Sequence, residues 1–275
     1  MGLFLWKKMK ERVAIQGYIG SYHHEAANNY LGNDIEIVEC DTFKTLAKSL
    51  AKGKVDKAIM AIENTIAGAI LPNYALLTKY NLKVVGEIYL SIQHQLMVKK
   101  GKTLDDVKEV RSHQMALLQC DKFLEKHPTW RVVNDIDTAL TAKDIVEQDL
   151  NDVAAIASRK AAEVYELDIL ASSIQTFQDN FTRFFVLQRE HNDYEDFNKV
   201  SMRFSVPHQS GALVDVLNQI AECGINMDKI QSVPIIEKPW EYSFHIDITF
   251  EQKEQYYDCL LYTSDAADDS LRVTP

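Results

Sequence analysis

Between Val13 and Leu187, short apolar runs of β-forming residues alternate with amphipathic helical stretches. That alternation constrains the fold more than any other feature, because strands interleaved with helices pack as mostly parallel sheets with helices on their faces. Val13–Gln16, Ile35–Glu39 and Lys57–Ile62 read as strands. The first two are followed by helical stretches, at about His23–Leu31 and from an Asp41 N-cap to Gly53; a third helix starts with Pro72 in its first turn and runs to about Tyr80. Two extended segments, Val84–Leu90 and Ile92–Val98, lead to a second set. It has strands at Glu109–Arg111, Arg131–Val133, Val153–Ala157, Ile169–Ser172 and Phe184–Leu187. Its helices are Met115–Glu125, Asp137 or Thr138 to Glu147, and Arg159–Glu166. Two α/β lobes joined by extended crossovers enclose a cleft, and a cleft of this kind is where ligands bind.

A different pattern follows a polar, acidic linker at 191–198. Val200–Val206 reads as a strand, Gly211 opens a helix that Gly224 ends, and Ile230–Ile236 and Trp240–Phe250 read as two more strands. Strand, helix, strand, strand calls for a covering helix from about Glu251, the ferredoxin-like order βαββα. Beyond Leu261 the sequence turns polar and non-periodic, and 262–275 reads as a non-native or disordered tail that leaves this unit incomplete. The expected division is an extension at 1–12 (with Met9 a candidate start), a two-lobed domain at 13–190, the linker, a smaller domain at 199–261, and the tail.

The chain has 275 residues and a net charge of −10, which argues against nucleic acid as a partner. An anionic substrate would have to be held by local arginine or lysine against that overall field. Four widely spaced cysteines (Cys40, Cys120, Cys223, Cys259) fit reduced thiols better than a disulfide framework or a zinc site. No apolar run approaches a membrane span, and the N-terminus lacks a signal-peptide pattern, so the expected location is cytoplasmic. His23-His24-Glu25 are consecutive and fall on different faces of a helix, which is poor metal-site geometry.

Polar residues cluster where strands end. Thr182 and Arg183 stand at the mouth of the Phe184–Leu187 run; as filler, they would cap a turn and form a surface ion pair. Glu63-Asn64-Thr65 ends a strand and reads equally as ligand group or turn. The Gly17–Ser21 turn before a helix is a weak anion-binding arrangement, lacking both the P-loop lysine and the third glycine of a dinucleotide fingerprint.

Taken in order, Gly17-x-x-Gly20-Ser21-Tyr22, Ile62-Glu63-Asn64-Thr65-x-x-Gly68, Ser112-His113-Gln114-x-Ala116-x-x-Gln119-Cys120, Ala155-Ile156-Ala157-Ser158 and Asn180-x-Thr182-Arg183-Phe184 resemble prephenate dehydratase over roughly Val13–Phe250. The Val200–Phe250 unit resembles an ACT domain, with Gly211-Ala212-Leu213 matching its Gly-Ala-Leu motif. The resemblance implies a fold similar to type II periplasmic binding proteins and conversion of prephenate to phenylpyruvate, water and carbon dioxide without a cofactor. It implies Thr182 as donor to the departing hydroxyl and Arg183 as a carboxylate clamp. Ser21, Asn64, Thr65, Ser112, His113, Gln114, Asn180 and Phe184 are then the expected substrate-binding residues. Glu63 is harder to place beside a dianion. Phenylalanine would bind at Gly211, Ala212, Leu213, Gln231 and Ser232. Gln231-Ser232-Val233-Pro234 stands where the family has Glu-Ser-Arg-Pro, so inhibition could be retained, weakened or altered. The lack of an all-helical segment before Val13 speaks for the form not fused to chorismate mutase, and the family suggests a homodimer or homotetramer. Two readings compete: arogenate dehydratase, in which an amino group replaces the side-chain keto group, and an amino-acid-sensing binding protein without catalysis.

Overall fold

The computed structural model describes residues 10–190, 197–235, 240–257 and 269–273. Residues 191–196 of the expected 191–198 linker, residues 1–9 and Cys259 lie outside them. Contacts divide the chain into two units, 1–70 with 88–184, and 71–87 with 185–275. In chain order the elements are β1 (Glu11–Gln16), α1 (Tyr22–Leu31), β2 (Ile35–Cys40), α2 (Phe43–Ala51), β3 (Lys57–Asn64), β4 (Gly68–Ala69), α3 (Leu71–Lys79), β5 (Lys83–Ser91) and β6 (Gln95–Val98). Then come β7 (Glu109–His113), α4 (Gln114–Gln119), α5 (Asp121–Leu124), β8 (Arg131–Asp135), α6 (Thr138–Glu147), β9 (Val153–Ala157), α7 (Arg159–Tyr165), β10 (Asp168–Ala171) and β11 (Phe181–Gln188). The last set is β12 (Lys199–Ser205), α8 (Ala212–Glu222), β13 (Asn226–Pro234), β14 (Tyr242–Thr249) and β15 (Asp269–Val273).

The first unit carries two sheets. One has the order β2-β1-β3-β11-β5, with β4 folded back on β3. Its β1 pairs in parallel with both β2 and β3, as strand–helix alternation requires. The unit boundary falls inside β5 and β11. The other sheet has the order β10-β6-β9-β7-β8, with β7 parallel to β8 and β9 and with β6 antiparallel to both its neighbours. Val153–Ala157 is buried throughout, the continuous apolar run of a strand covered on both faces.

The second unit contains an antiparallel sheet in the order β13-β14-β12-β15. Helix α8 lies between β12 and β13 in the chain, and residues 253–257 are helical after β14. Phe204, Ile220, Ile246, Ile248, Phe250 and Tyr256 form its core. Within the unit, Lys199 pairs with Glu87 at 2.7 Å, and the Tyr74 ring of α3 lies 4.8 Å from the His245 ring.

Several expectations need correction. Helix α2 is capped by Thr42, whose hydroxyl accepts from Thr45 N–H, rather than by Asp41. The expected Met115–Glu125 helix is broken at Cys120 into α4 and α5. Part of the supposed tail, Asp269–Val273, is a strand paired antiparallel with β12. It satisfies an edge that would otherwise present unpaired N–H and C=O groups, and it completes the β-strand order that the sequence reading had left short.

Candidate functional site

A cavity of about 260 Å³ opens in the first unit, walled by both of its sheets. Ser21, Tyr22 and His23 reach it from the start of α1, and Asn64 from the end of β3. Thr182 and Phe184 come from β11, His94 from the segment before β6, and His113, Gln119 and Asp137 from the second sheet's side. No lysine or arginine is among the described lining residues.

Local sequence fixes the walls. Gly17 and Gly20 have φ of 88° and 93°, a region costly for residues with a Cβ. A Cβ on Gly20 would sit 2.9 Å from Ala161 Cα, so the turn packs directly on α7. Ser158 Oγ donates to Gly20 O at 2.5 Å, and Tyr165 Oη donates to Ile19 O at 2.7 Å, holding the turn. Ser21 then caps α1, accepting from His24 N–H.

A hydrogen-bond chain crosses the cavity wall. Asn64 Oδ1 accepts from the N–H groups of Ile66 and Ala67 at 3.0 and 2.9 Å, which fixes the direction of its amide. Its Nδ2 therefore donates, to Asn180 Oδ1 at 2.7 Å and to Thr182 Oγ1 at 3.0 Å, with Phe181 O at 3.1 Å. Asn180 Nδ2 in turn donates to Gln119 Oε1 at 2.9 Å. Gln119 Oε1 lies 2.8 Å from His94 Nε2, so that nitrogen carries a hydrogen. Neutral His94 then accepts at Nδ1 from Tyr22 Oη, 2.8 Å away. Because Thr182 Oγ1 receives the Asn64 hydrogen, its own proton is left to point elsewhere, and no described residue accepts it.

Burial holds His23 and His94 neutral. His23 is pushed down to about 3, and burial likewise lowers His94, with the Gln119 bond opposing. Tyr22 is raised well above the ordinary tyrosine range, chiefly by burial, and keeps its proton. The buried His23 has a consequence for stability. The unfolded chain takes up a proton near pH 6.5 while the folded one resists until about 3, so stability falls as pH drops through that window. Urea midpoints measured from pH 7 to 4 should decline, and His23→Gln should flatten the part of the slope that His23 causes; an unchanged slope would remove His23 from this account.

The expected site residues divide. Thr182, Phe184, Ser21, Asn64 and His113 line the cavity. Phe184 packs edge-on against His23, with ring centroids 4.9 Å apart. Asn180 is fully buried behind the wall as a link in the chain. Thr65 binds loop to loop: its Oγ1 donates to Asp179 O and accepts from Phe181 N–H. Ser112 is fully buried, with its hydroxyl donating to Ile156 O at 2.5 Å. Gln114 lines a separate hollow with Asn134 and Asp135. Arg183 is the main correction. Strand β11 begins at Phe181, three residues earlier than expected, so Thr182 and Arg183 are neighbours within a strand and point to opposite faces. Thr182 lines the cavity; Arg183 is buried away from it, its guanidinium 5.8 Å from the Tyr89 ring centroid. The same alternation takes Glu63 off the wall that Asn64 lines.

Sequence reasoning assigned no role to Tyr22, His94 or Gln119 and saw Asp137 only as a cap. Tyr22 and Gln119 were signalled by lying inside recurring motifs. His94 carried no local signal, since its place in the chain depends on contacts 25 and 72 residues away in sequence. Among the described residues no group of three or more potential metal ligands occurs, no helix is long and apolar enough to cross a membrane, and Cys40, Cys120 and Cys223 are free thiols.

Comparison with known proteins gives this geometry a context. The family model for prephenate dehydratase matches residues 13–192. The chain is 39% identical over 247 residues to arogenate dehydratase/prephenate dehydratase 2 of Arabidopsis thaliana, covering 86% of this chain and 64% of the relative. It is 35% identical over 242 residues to the bifunctional chorismate mutase/prephenate dehydratase of Enterobacter agglomerans, covering 86% and 62%. The chain thus spans somewhat less than two thirds of the length of these relatives. Among solved structures, prephenate dehydratase of Arthrobacter aurescens in complex with L-Phe superposes with a TM-score of 0.85 at 24% identity, over 96% of this chain and 89% of that one. The enzyme of Staphylococcus aureus gives 0.82 at 22%, over 96% and 100%. The expected α/β fold is borne out by these superpositions, and with two thirds of its residues matched by one family model, the chain belongs to the prephenate dehydratase family.

Proposed function

We propose that this chain is a dehydratase of phenylalanine biosynthesis that acts on prephenate and on its amino counterpart arogenate. In each, the bond from the ring to its carboxylate breaks and leaves as carbon dioxide. The electron pair enters the ring, and the hydroxyl on the opposite carbon departs and takes up a proton to become water. Prephenate gives phenylpyruvate and arogenate gives phenylalanine. Aromatisation drives the reaction, so the protein needs to orient the ring and assist the leaving hydroxyl.

The observation that carries this reading is Thr182 on the cavity wall, its hydroxyl accepting from Asn64 and so keeping its own proton to give to a substrate oxygen. A hydroxyl so placed donates to a departing oxygen. With no lysine or arginine in the described lining, the substrate's carboxylates fall to N–H groups. The first residues of α1, Tyr22 and His23, lie on the wall, where the N–H groups of a first helical turn and the helix dipole favour negative charge.

The second unit, with its ferredoxin-like strand order, supports the reading of an ACT domain that takes phenylalanine near Gly211, Gln231 and Ser232. The Arthrobacter relative is a complex with L-Phe. Gln231 Nε2 donates to Ser232 O in the position where the family motif has a glutamate. A homodimer or homotetramer remains the family expectation. Incubation of the purified chain with prephenate should yield phenylpyruvate, and with arogenate phenylalanine. Failure to convert either would end the enzyme reading. Repeating the prephenate assay with added phenylalanine should lower its rate, and an unmoved rate would remove the regulatory part alone.

A further inference from the structure

The lining that lacks lysine and arginine does contain one acid. Asp137 is the single carboxylate among the described residues that wall the cavity. Its Oδ1 accepts from the N–H groups of Ala139 and Leu140, at 2.8 and 3.1 Å, as the cap of α6. Its Oδ2 receives no hydrogen bond from any described residue. That oxygen packs against Gly17, where any side chain would collide with it: a Cβ there would lie 2.6 Å from Oδ2. One oxygen is thus fixed by the helix, and this anchors the other where the Gly17 turn and the cavity meet. Burial raises the carboxyl's proton affinity, while the cap N–H groups and His113 oppose that rise.

A cap alone would account for Oδ1. The uncommitted oxygen on the wall of a substrate cavity calls for a partner, and the two candidate substrates differ at one position. Prephenate is a dianion with a side-chain keto group. Arogenate carries an ammonium there, and its net charge is one unit less negative. A carboxylate beside the keto acid meets a like charge and finds no hydrogen to accept. Beside the amino acid it meets an opposite charge and a donor.

We propose that Asp137 reads the ammonium group of an amino-acid substrate and sets this enzyme's preference toward arogenate over prephenate. The assignment rests on the dehydratase reading above and adds the choice of substrate to it. Asp137 binds and selects; it has no part in the bond-breaking step.

The test uses the full chain and Asp137→Asn. Asparagine caps helices as well as aspartate does, so α6 keeps its start while the charge is lost. For wild type, kcat/KM should favour arogenate. In Asp137→Asn the arogenate-to-prephenate ratio should fall about tenfold to a hundredfold, the span of a hydrogen bond to a charged group, mainly through a higher KM for arogenate. A merely structural role would lower both substrates together and leave the ratio unmoved, which would overturn the proposal, as would a wild-type preference for prephenate. If neither substrate is converted, the dehydratase reading fails separately. Calorimetric binding of both compounds to wild type and Asp137→Asn then still decides: selective weakening of arogenate upholds the assignment, and parallel or absent change refutes it.

Discussion

Replacing Thr182 with valine should lower kcat by about 10²–10⁴-fold, the usual range for removing a positioned proton donor, with KM changed little. Valine keeps the branched shape and the strand preference of threonine, so β11 should form as before. What disappears is the hydroxyl that accepts from Asn64 at 3.0 Å on the cavity wall. Steady-state kinetics with prephenate and arogenate, beside a circular dichroism spectrum to confirm folding, give the answer. A folded Thr182→Val protein with near wild-type kcat would show that the leaving hydroxyl is helped by another group.

Phe184→Ala should cost about 3–5 kcal/mol of stability, as for other fully buried aromatic truncations. The Phe184 side chain is 1% exposed, lies within a strand buried from Thr182 to Leu187, and meets the His23 ring at 4.9 Å. Its loss removes one cavity wall and loosens the contact between β11 and α1. Urea unfolding should show a lowered midpoint with an unchanged slope. A loss below about 1 kcal/mol would mean that neighbouring side chains collapse into the space. Because the ring is also cavity lining, the surviving folded protein should show a raised KM.

Much of this fold was legible in the chain. Val153–Ala157 and the α6 region announced themselves by continuous apolarity and by an Asp cap, and both lie where expected. What escaped was set by strand length and by distance. Strand β11 runs through Phe181–Phe184 because the Asn64 and Thr65 side chains tie its start to the β3 loop. No local propensity reports such ties. A strand three residues longer turns an apparent Thr-Arg pair into two residues with opposite surroundings, and that is why Arg183 left the site. Ser112 was misplaced for a related reason: β7 extends to His113, carrying the serine into the interior, where it satisfies Ile156 O. The helix break at Cys120 follows the same logic, since Gln119 O receives Thr176 N–H from a distant loop. Asn64 and Thr182 were legible because their chemistry matched a family motif. The chain of bonds that joins them to Gln119 and His94 was not, because it links residues from β3, α4, the segment before β6 and the start of β11.

That chain has a property beyond geometry. Each amide in it has a carbonyl end and an amino end, and backbone N–H groups at Ile66 and Ala67 decide which way the first one faces. Asn180 and Gln119 must follow, as dominoes follow the first, and His94 is left with one tautomer. Its amide links carry direction and no current, since a neutral amide has no readily transferable proton to pass along. Chemical ageing would therefore be felt at once. Spontaneous deamidation of Asn64 would put a carboxylate in the line, an acceptor where a donor must stand, and Thr182 would be compelled to turn its proton inward toward its own scaffold.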